Sequence, residues 1–410
     1  MKVLWLKSDF PLPADTGGKI RTMNLLSALA KLCDVTFLSY VPPELDGKWI
    51  NQMRGFGVRV ESVVQPEENK EGLAFKLRVF SKLLSSRPYI VNKYITPEMT
   101  QRIRKVSTEK QIDVVVCDFL EMAWCAEHLG EIPKVLFEHN VETLIWRRYH
   151  EVEKAFLKKL YFAYEKRRLE RFERDSCSRF DQVLTVSDKD GELLRKEFGL
   201  RHFATIPTGV DTSYFHPLGR ETKHRLVFCG SMDWMPNIDG FWWFYREILP
   251  KIRQDIADVS FAVVGRRPAE DIVKVGQDDS SLIITGTVAD VRPEVAAGQI
   301  YVVPLRIGGG TRIKIYEALA MRKCVVSTTI GAEGLPLTDD VNIVLADGES
   351  EFAKKVTELL RDDNKRNRIA EAGFQLVTKK YSWSKAAEKL HEALTAAAGV
   401  HGDLKARNRG

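Results

Sequence analysis

Within Pro304 to Val326, three successive glycines, two bases and a carboxylate stand close together between Gly308 and Glu317. Gly308, Gly309 and Gly310 carry no Cβ, so the backbone there approaches a ligand closely. Thr311 is placed to cap a helix running from about Arg312 to Met321, whose free N–H groups then point at whatever lies above the loop. A helix N-terminus of this kind attracts anions, and Arg312 and Lys314 add two formal positive charges. Glu317 follows Lys314 by three residues and shares its face, while Ile313, Ala320 and Met321 face the core. The chemistry offered is a cradle for a phosphorylated ligand whose hydroxyls a carboxylate holds. A surface helix behind a glycine turn has the same composition, and this stretch alone leaves both readings open.

A second set stands earlier. Gly17 and Gly18 follow the first apolar run, where a dinucleotide-binding protein carries G-x-G-x-x-G. With two glycines only, the nicotinamide and flavin fingerprint is missing, although adjacent glycines before a helix still suit close contact with a substrate or phosphate. His139, in Phe137-Glu138-His139-Asn140, ends a predicted strand and faces the ligand side of a parallel sheet; a histidine hydrogen-bonded within its own loop is the competing reading. The chain has no Cys-x-x-Cys pair and no His-Glu-x-x-His pattern, so no metal site is expected.

The elements that position these residues alternate. Strands are predicted at Lys2–Leu6, Asp34–Tyr40, Val58–Val64, Ile112–Cys117, Lys134–Phe137 and Gln182–Val186, with a helix at Lys19–Leu32. Strands separated by helices indicate a parallel, doubly wound sheet that binds ligands beyond its strand C-termini. Between Gly199 and Lys223 the pattern loosens around Pro207, Gly209 and Pro217, which marks a linker. The rhythm then restarts, with strands at Arg225–Cys229, Val259–Val264, Leu282–Thr285, Ile300–Val303, Cys324–Ser327 and Asn342–Ala346. Helices are predicted at Asn237–Ile252, Val291–Ala297, Arg312–Arg322, Ser350–Arg361, Asp363–Thr378 and Ser382–Ala397. The expected organisation is an α/β protein of two doubly wound domains facing across a cleft. Its parts are residues 1–205, a linker at 206–224, a second domain at 225–380, a C-terminal helix at 381–398 that crosses back to the first domain, and a flexible tail at 399–410.

Composition agrees with this division. At 410 residues the chain exceeds one average core, and 44% hydrophobic with 29% charged residues describes a globular protein that is neither disordered nor membrane-spanning. The apolar run in MKVLWLKSDF is too short for a signal-peptide core, and no stretch supplies about 18 uninterrupted apolar residues. Cys33, Cys117, Cys125, Cys177, Cys229 and Cys324 read as buried free thiols of a cytosolic protein. A net charge of +6 favours anionic partners without naming one.

Two segments carry unusual surface. From Lys70 to Lys110 bases outnumber acids, and Phe75, Leu77, Val79, Phe80, Leu83 and Leu84 interleave with Lys76, Arg78, Lys82 and Arg87. Such a stretch, at about 70–105, suits an anionic bilayer; a helix packed on its own domain is the alternative. Glu142–Cys177 is a long helical pattern with Ile145, Tyr149, Val152, Phe156 and Leu160 at helical spacing. Its ten bases against seven acids argue against nucleic acid and for core packing with a solvated charged face.

Taken together, the chain resembles the family 4 (group 1) glycosyltransferases, retaining enzymes of the GT-B fold that use nucleotide-sugar donors. The likeness extends over nearly the whole chain. It is carried by the opening strand with Gly17-Gly18, and by Val183-Leu-Thr-Val-Ser187 followed by Ile206-Pro-Thr-Gly-Val-Asp211 and Phe215-His-Pro217. Val263-Val-Gly265 with Ile284-Thr-Gly286, and Tyr316-Glu-Ala-Leu-Ala320 running into Val325-Val-Ser-Thr328, complete it. The segments HNVETLIWRR, GSMDWMPNIDGFWWF and GGGTRIKIYEALA are similar to sugar transferases of bacterial exopolysaccharide systems.

The resemblance implies roles. Glu317 matches the second carboxylate of the family's E-x7-E motif, which holds the donor ribose; His139 matches the histidine near the transferred sugar; Gly18, beside Gly17, matches the loop glycine near the donor phosphates. Arg266 and the strand-edge Val288 fall near the nucleobase. Two departures stand out. Gly309 occupies the place of the first glutamate, and the bases that bind the diphosphate after the domain's first strand are missing, because Gly230 and Ser231 lead into Met-Asp-Trp-Met-Pro-Asn237. Arg312 and Lys314 are expected to supply that charge, with the helix N-terminus, and to stabilise the departing nucleoside diphosphate without a metal. A retaining transfer that uses a donor phosphate oxygen as base needs no carboxylate pair of the glycoside-hydrolase kind. His139 then orients the sugar or the acceptor.

The expected activity moves a sugar from a UDP- or GDP-sugar to a saccharide, polysaccharide-precursor or lipid-linked acceptor, with no further cofactor and no nucleic acid. The expected location is the cytoplasm, peripheral on the inner face of the plasma membrane. A nucleotide-sugar epimerase and a non-catalytic sugar-nucleotide-binding scaffold are the alternatives. The Ile206–Pro217 signature argues against the epimerase, and Gly309 lends the scaffold some weight.

Overall fold

The computed structural model describes residues 1–45, 47–65, 85–153, 155–219, 221–308 and 313–407. The chain separates into two compact units, residues 1–207 with 384–410, and residues 208–383.

The first unit is built on seven parallel strands: β1 Lys2–Lys7, β2 Asp34–Val41, β3 Arg59–Val64, β4 Val114–Asp118, β5 Lys134–Glu138, β6 Gln182–Thr185 and β7 Phe203–Thr205, in the order β3-β2-β1-β4-β5-β6-β7. Leu4, Trp5, Leu6, Val115, Val116, Leu136 and Val183 are fully buried, as continuous apolar runs become when helices cover both faces of a parallel sheet. The second unit repeats the plan with β8 Arg225–Cys229, β9 Ser260–Val264, β10 Leu282–Gly286, β11 Ile300–Val303, β12 Cys324–Ser327 and β13 Val344–Leu345, ordered β10-β9-β8-β11-β12-β13 and again parallel. Phe228, Phe261, Val263, Val302 and Val326 form the centre of its core.

Four expectations are corrected. Phe203–Thr205, inside the stretch read as loosening, is a strand: Val183, Leu184 and Thr185 pair with Phe203, Ala204 and Thr205, and three residues are too few for a periodicity to show. The single helix expected over Asn237–Ile252 is broken by a π-turn at Phe244–Ile248, because Pro250 lacks the N–H that an α-helix needs there. The long pattern of Glu142–Cys177 splits into the helices Glu142–Val152 and Phe156–Arg179, and the apolar residues at their junction are exposed rather than packed in the core. The C-terminal helix does not stop at Ala397 but runs from Trp383 to Arg407, through the segment expected to be a loose tail. Its alanine-rich body has strong helix propensity, and Gly399 costs only about 1 kcal/mol against it. Of the basic stretch at 70–105, residues 66–84, with Lys76, Arg78 and Lys82, lie outside the described residues.

One close approach fixes the shape of the loops beyond β8 and β9. A Cβ on Gly265 would stand 1.7 Å from the carbonyl oxygen of Gly230, and the Gly230 N–H donates to the carbonyl of Val264 at 2.9 Å. Backbone atoms on both sides leave nothing to move aside. Gly265→Ala is therefore expected to destabilise the second unit by about 3 kcal/mol or more. Gly348→Ala, which meets open space, should stay within about 1 kcal/mol of wild type. Urea unfolding monitored by tryptophan fluorescence compares the two, and equal midpoints would contradict the packing argument.

Candidate functional site

In the first unit the strand order reverses between β1 and β4, and ligands of open parallel sheets bind beyond the strand ends at such a point. The register sets Lys7 beside Asp118 and Asp118 beside Phe137. Lys7 and Asp118 are both buried, at 2% and 0% exposure. One carboxylate oxygen of Asp118, Oδ2, accepts hydrogen bonds from Trp5 Nε1 at 3.1 Å and Thr22 Oγ1 at 2.7 Å, and lies 3.3 Å from the Lys7 ammonium. His139 Nε2 stands 2.6 Å from the other oxygen, Oδ1, although the ring is turned so that its N–H does not aim along that line.

These contacts set two protonation states. Burial on its own raises the Asp118 carboxyl, but Lys7, His139 and the hydrogen bonds outweigh it and hold the group well below the usual carboxylate range. His139 goes the other way: burial pushes it down to about 4 against the pull of Asp118. The imidazole is thus neutral at pH 7, and a carboxylate facing Nε2 favours the proton there, which leaves Nδ1 as an acceptor.

Phe119 ties this centre to the glycine turn. It follows Asp118 with φ of 75°, an unusual conformation for a bulky residue. Its ring stacks on His139, with centroids 4.0 Å apart and planes at 17°, and the Lys7 ammonium lies 4.0 Å from the same ring. A Cβ on Gly18 would come 2.8 Å from Phe119 Cζ. Thr16 caps the Gly17–Leu29 helix that begins here. On the same helix, buried Arg21 donates to the carbonyl of Ile206, the first residue of the signature.

Behind His139 lies a group of acids. Glu173 accepts from the N–H groups of Glu142 and Thr143, at 2.7 and 3.0 Å, and so caps the Glu142–Val152 helix. Burial pushes Glu142 up to about 8 and Glu173 up to about 7. Glu138, 1% exposed, has no hydrogen-bond partner on either oxygen among the described residues; burial, and then Glu173, raise it well above the ordinary range.

In the second unit the order reverses between β8 and β11. Beyond β8, Ser231 Oγ accepts from Arg266 Nε at 2.7 Å and donates to Asp233 at 2.5 Å, while Met232 N–H donates to the Arg266 carbonyl at 2.9 Å. Asn237, buried, donates to the Ser231 carbonyl at 2.9 Å. The Ile313–Ala320 helix follows β11, and Lys314 reaches from it to the Cys229 carbonyl at 2.7 Å and Asn237 Oδ1 at 3.0 Å. Glu317 lies near the Cys229 thiol and the Tyr301 hydroxyl, both of which burial raises and its charge raises further. Its own carboxyl keeps some solvent exposure but is enclosed by protein atoms. Burial pushes it up to about 7, and Lys314 offsets only part of that. Among the described residues it makes no hydrogen bond and no ion pair.

The structure therefore brings Gly18 and His139 together through Phe119, Gly230 and Ser231 together with Arg266, and Lys314 and Glu317 onto one helix. Gly17 opens the first helix, and Gly308 adopts φ of 129°. Val288 packs its side chain against the core of the second unit. Gly309, Gly310, Thr311 and Arg312 lie outside the described residues. Lys7, Arg21, Asp118 and Phe119 went unread in the sequence. The available signal was a charge at the end of each of two fully apolar strands, Lys7 closing β1 and Asp118 closing β4.

Residues 16–214 match the family model described as Glycosyltransferase Family 4, and residues 223–362 match that of Glycosyl transferases group 1. An uncharacterized 44.6 kDa protein in the cps region of Klebsiella pneumoniae is 22% identical over 94% of this chain and 97% of its own length. Sucrose-phosphate synthase from Thermosynechococcus elongatus superposes with a TM-score of 0.71 at 13% identity, covering 97% of this chain and 100% of that one. Anabaena HepE, solved in complex with UDP and glucose, superposes at 0.66 with 14% identity, over 96% and 99% of the two chains. With family 4 and group 1 domains in tandem on this architecture, the chain is a glycosyltransferase of the GT-B fold.

Two expected outcomes follow from the protonation states. The unfolded form of His139 takes up a proton near 6.5 and the folded form only near 4, so stability is lost as pH falls through that window. His139→Gln should remove this share of the loss, read as the difference between urea midpoints at pH 7 and pH 5 for variant and wild type. Glu317 has the opposite sign: its folded value of about 7 exceeds the ordinary 4.5, so its contribution is complete below 4.5 and is lost as pH rises through 7. Glu317→Gln should therefore gain on wild type by roughly 1–2 kcal/mol between pH 4.5 and pH 8, a figure discounted for partial exposure. A gain independent of pH would contradict the assignment.

Proposed function

We propose that the protein transfers a sugar, with retention of anomeric configuration, from a UDP- or GDP-sugar to a saccharide, polysaccharide-precursor or lipid-linked acceptor of the cell envelope. The observation that carries the reading is Glu317: a carboxyl at the reversal point of the second sheet that no described protein group uses. A carboxylate kept unpartnered and partly desolvated is ready to accept two hydroxyls of a ribose. The relative from a cps region supports an exopolysaccharide role, and the neighbour solved with UDP and glucose supports a nucleotide-sugar donor.

In this reading the loop Gly230–Ser231 with Arg266 borders the donor in the second unit, and the glycine run that begins at Gly308 is assigned to its phosphates. Arg312 and Lys314 supply the positive charge that stabilises the departing nucleoside diphosphate, a contribution of about 3–4 kcal/mol for each donor of this kind. The placement of Lys314 supports its part, since the ammonium donates to the carbonyl of Cys229, the last residue of β8. The reaction runs without a metal and in the cytoplasm. In the first unit, neutral His139 offers Nδ1 to a sugar or acceptor hydroxyl, held in place by Asp118 and the Phe119 ring.

Nucleoside diphosphate release, measured with a panel of donors and an envelope extract as acceptor, tests the reading. Wild type should turn over one donor, and Glu317→Ala should weaken binding of that donor about tenfold or more in calorimetry. Arg312→Ala and Lys314→Ala should lower kcat by about a hundredfold each. A donor that binds without turnover in any extract favours the scaffold alternative, and unchanged donor handling by Arg312→Ala and Lys314→Ala removes their assigned role.

A further inference from the structure

The first half of the Phe156–Arg179 helix is turned outward. Phe156 and Leu157 are each 78% exposed and Leu160 is 60% exposed, with Tyr161 and Tyr164 exposed beside them and Val152 just ahead. Phe156, Leu160 and Tyr164 follow at four-residue steps with Leu157 and Tyr161 alongside, so they form one stripe. The second half of the same helix buries Glu165, Arg168, Leu169, Glu173 and Cys177, which anchors the stripe rigidly to the unit. Isolated apolar residues on a surface need no explanation, but a continuous set of six does.

Four bases around the stripe are unneutralised among the described residues. Lys158, Lys159, Arg167 and Arg171 are all exposed, and among the described residues none makes an ion pair or a side-chain hydrogen bond. The nearest acids in sequence are engaged elsewhere: Glu153 accepts the Ala155 N–H, Glu165 is buried against Arg168, and Glu170 pairs with Arg174. In the described part of the basic stretch around 70–110, by contrast, cations are paired: Arg87 with Glu127, Arg102 and Lys110 with Glu61. Aliphatic side chains, tyrosines and free bases on one surface match the boundary of an anionic bilayer. The apolar groups enter the acyl margin, the tyrosines sit at headgroup level, and the bases meet lipid phosphates. A second copy docking through the same face would bring the four cations against their own images.

We propose that the stripe Phe156–Tyr164, flanked by Lys158, Lys159, Arg167 and Arg171, docks the first unit on an anionic membrane surface. The proposal is independent of the transfer reaction. The test is flotation of the full chain with phosphatidylglycerol-containing vesicles and with pure phosphatidylcholine vesicles, at low and high salt, alongside light scattering. Wild type should float with the anionic vesicles only, and less so at high salt. The exposed triple substitution Phe156→Ser, Leu157→Ser, Leu160→Ser and the pair Lys158→Glu, Lys159→Glu should each lose at least tenfold in bound fraction, with unfolding midpoints unchanged. Wild type remaining unbound, variants floating like wild type, or a dimer that the triple substitution converts to monomer would each overturn it. Donor binding by the variants should equal wild type, which separates this outcome from the fate of the proposed reaction.

Discussion

A single buried carboxylate holds the end of the first sheet together. Asp118 is shielded from water at the point where the strand order reverses, and an ion there survives only if its surroundings replace the lost hydration. An indole, a hydroxyl, an ammonium and an imidazole do so from three different segments: β1, the helix after it and the loop after β5. Removing one partner of such a set typically costs about 3–5 kcal/mol, since the remaining charge stays buried. The same contacts that make the centre costly to disturb also fix His139 in one protonation state and one orientation.

The two reversal points solve different problems. At the first, the Asp118 charge is met from within the unit, and behind it Glu173 caps a helix while burial pushes the carboxyls of Glu138, Glu142 and Glu173 up. The second is left incomplete. Lys314 braces the β8 loop through the Cys229 carbonyl, while Glu317, one helical turn on, makes no hydrogen bond or ion pair among the described residues and is helped electrostatically by that ammonium. A partly desolvated carboxyl without a partner among the described residues costs stability, and ligand hydroxyls would offset that cost.

Much of this was legible beforehand. Uninterrupted apolar runs such as Val114–Cys117 and Tyr301–Val303 announced parallel strands buried on both faces, and the reset after Lys223 announced a second sheet. Gly18 and His139 were singled out because each sits at the edge of a predicted element, and Glu317 because it shares a helix face with Lys314. What escaped was three-dimensional. Lys7 and Asp118 are 111 positions apart, and only the strand order β2-β1-β4 makes them neighbours. The stripe at Phe156–Tyr164 escaped for the opposite reason: helical spacing shows that one face is apolar, but not whether that face meets a core or the solvent.

The stacking of Phe119 has a consequence for variation within this protein. Its ring fills the space that a Cβ at position 18 would need, rests on the imidazole at 139, and is held by a backbone angle that few side chains tolerate. Positions 18, 119 and 139 are thereby linked through one rigid plane, although more than a hundred residues separate the first from the others. A change at any of them is felt at the remaining two, so the three must drift together or not at all.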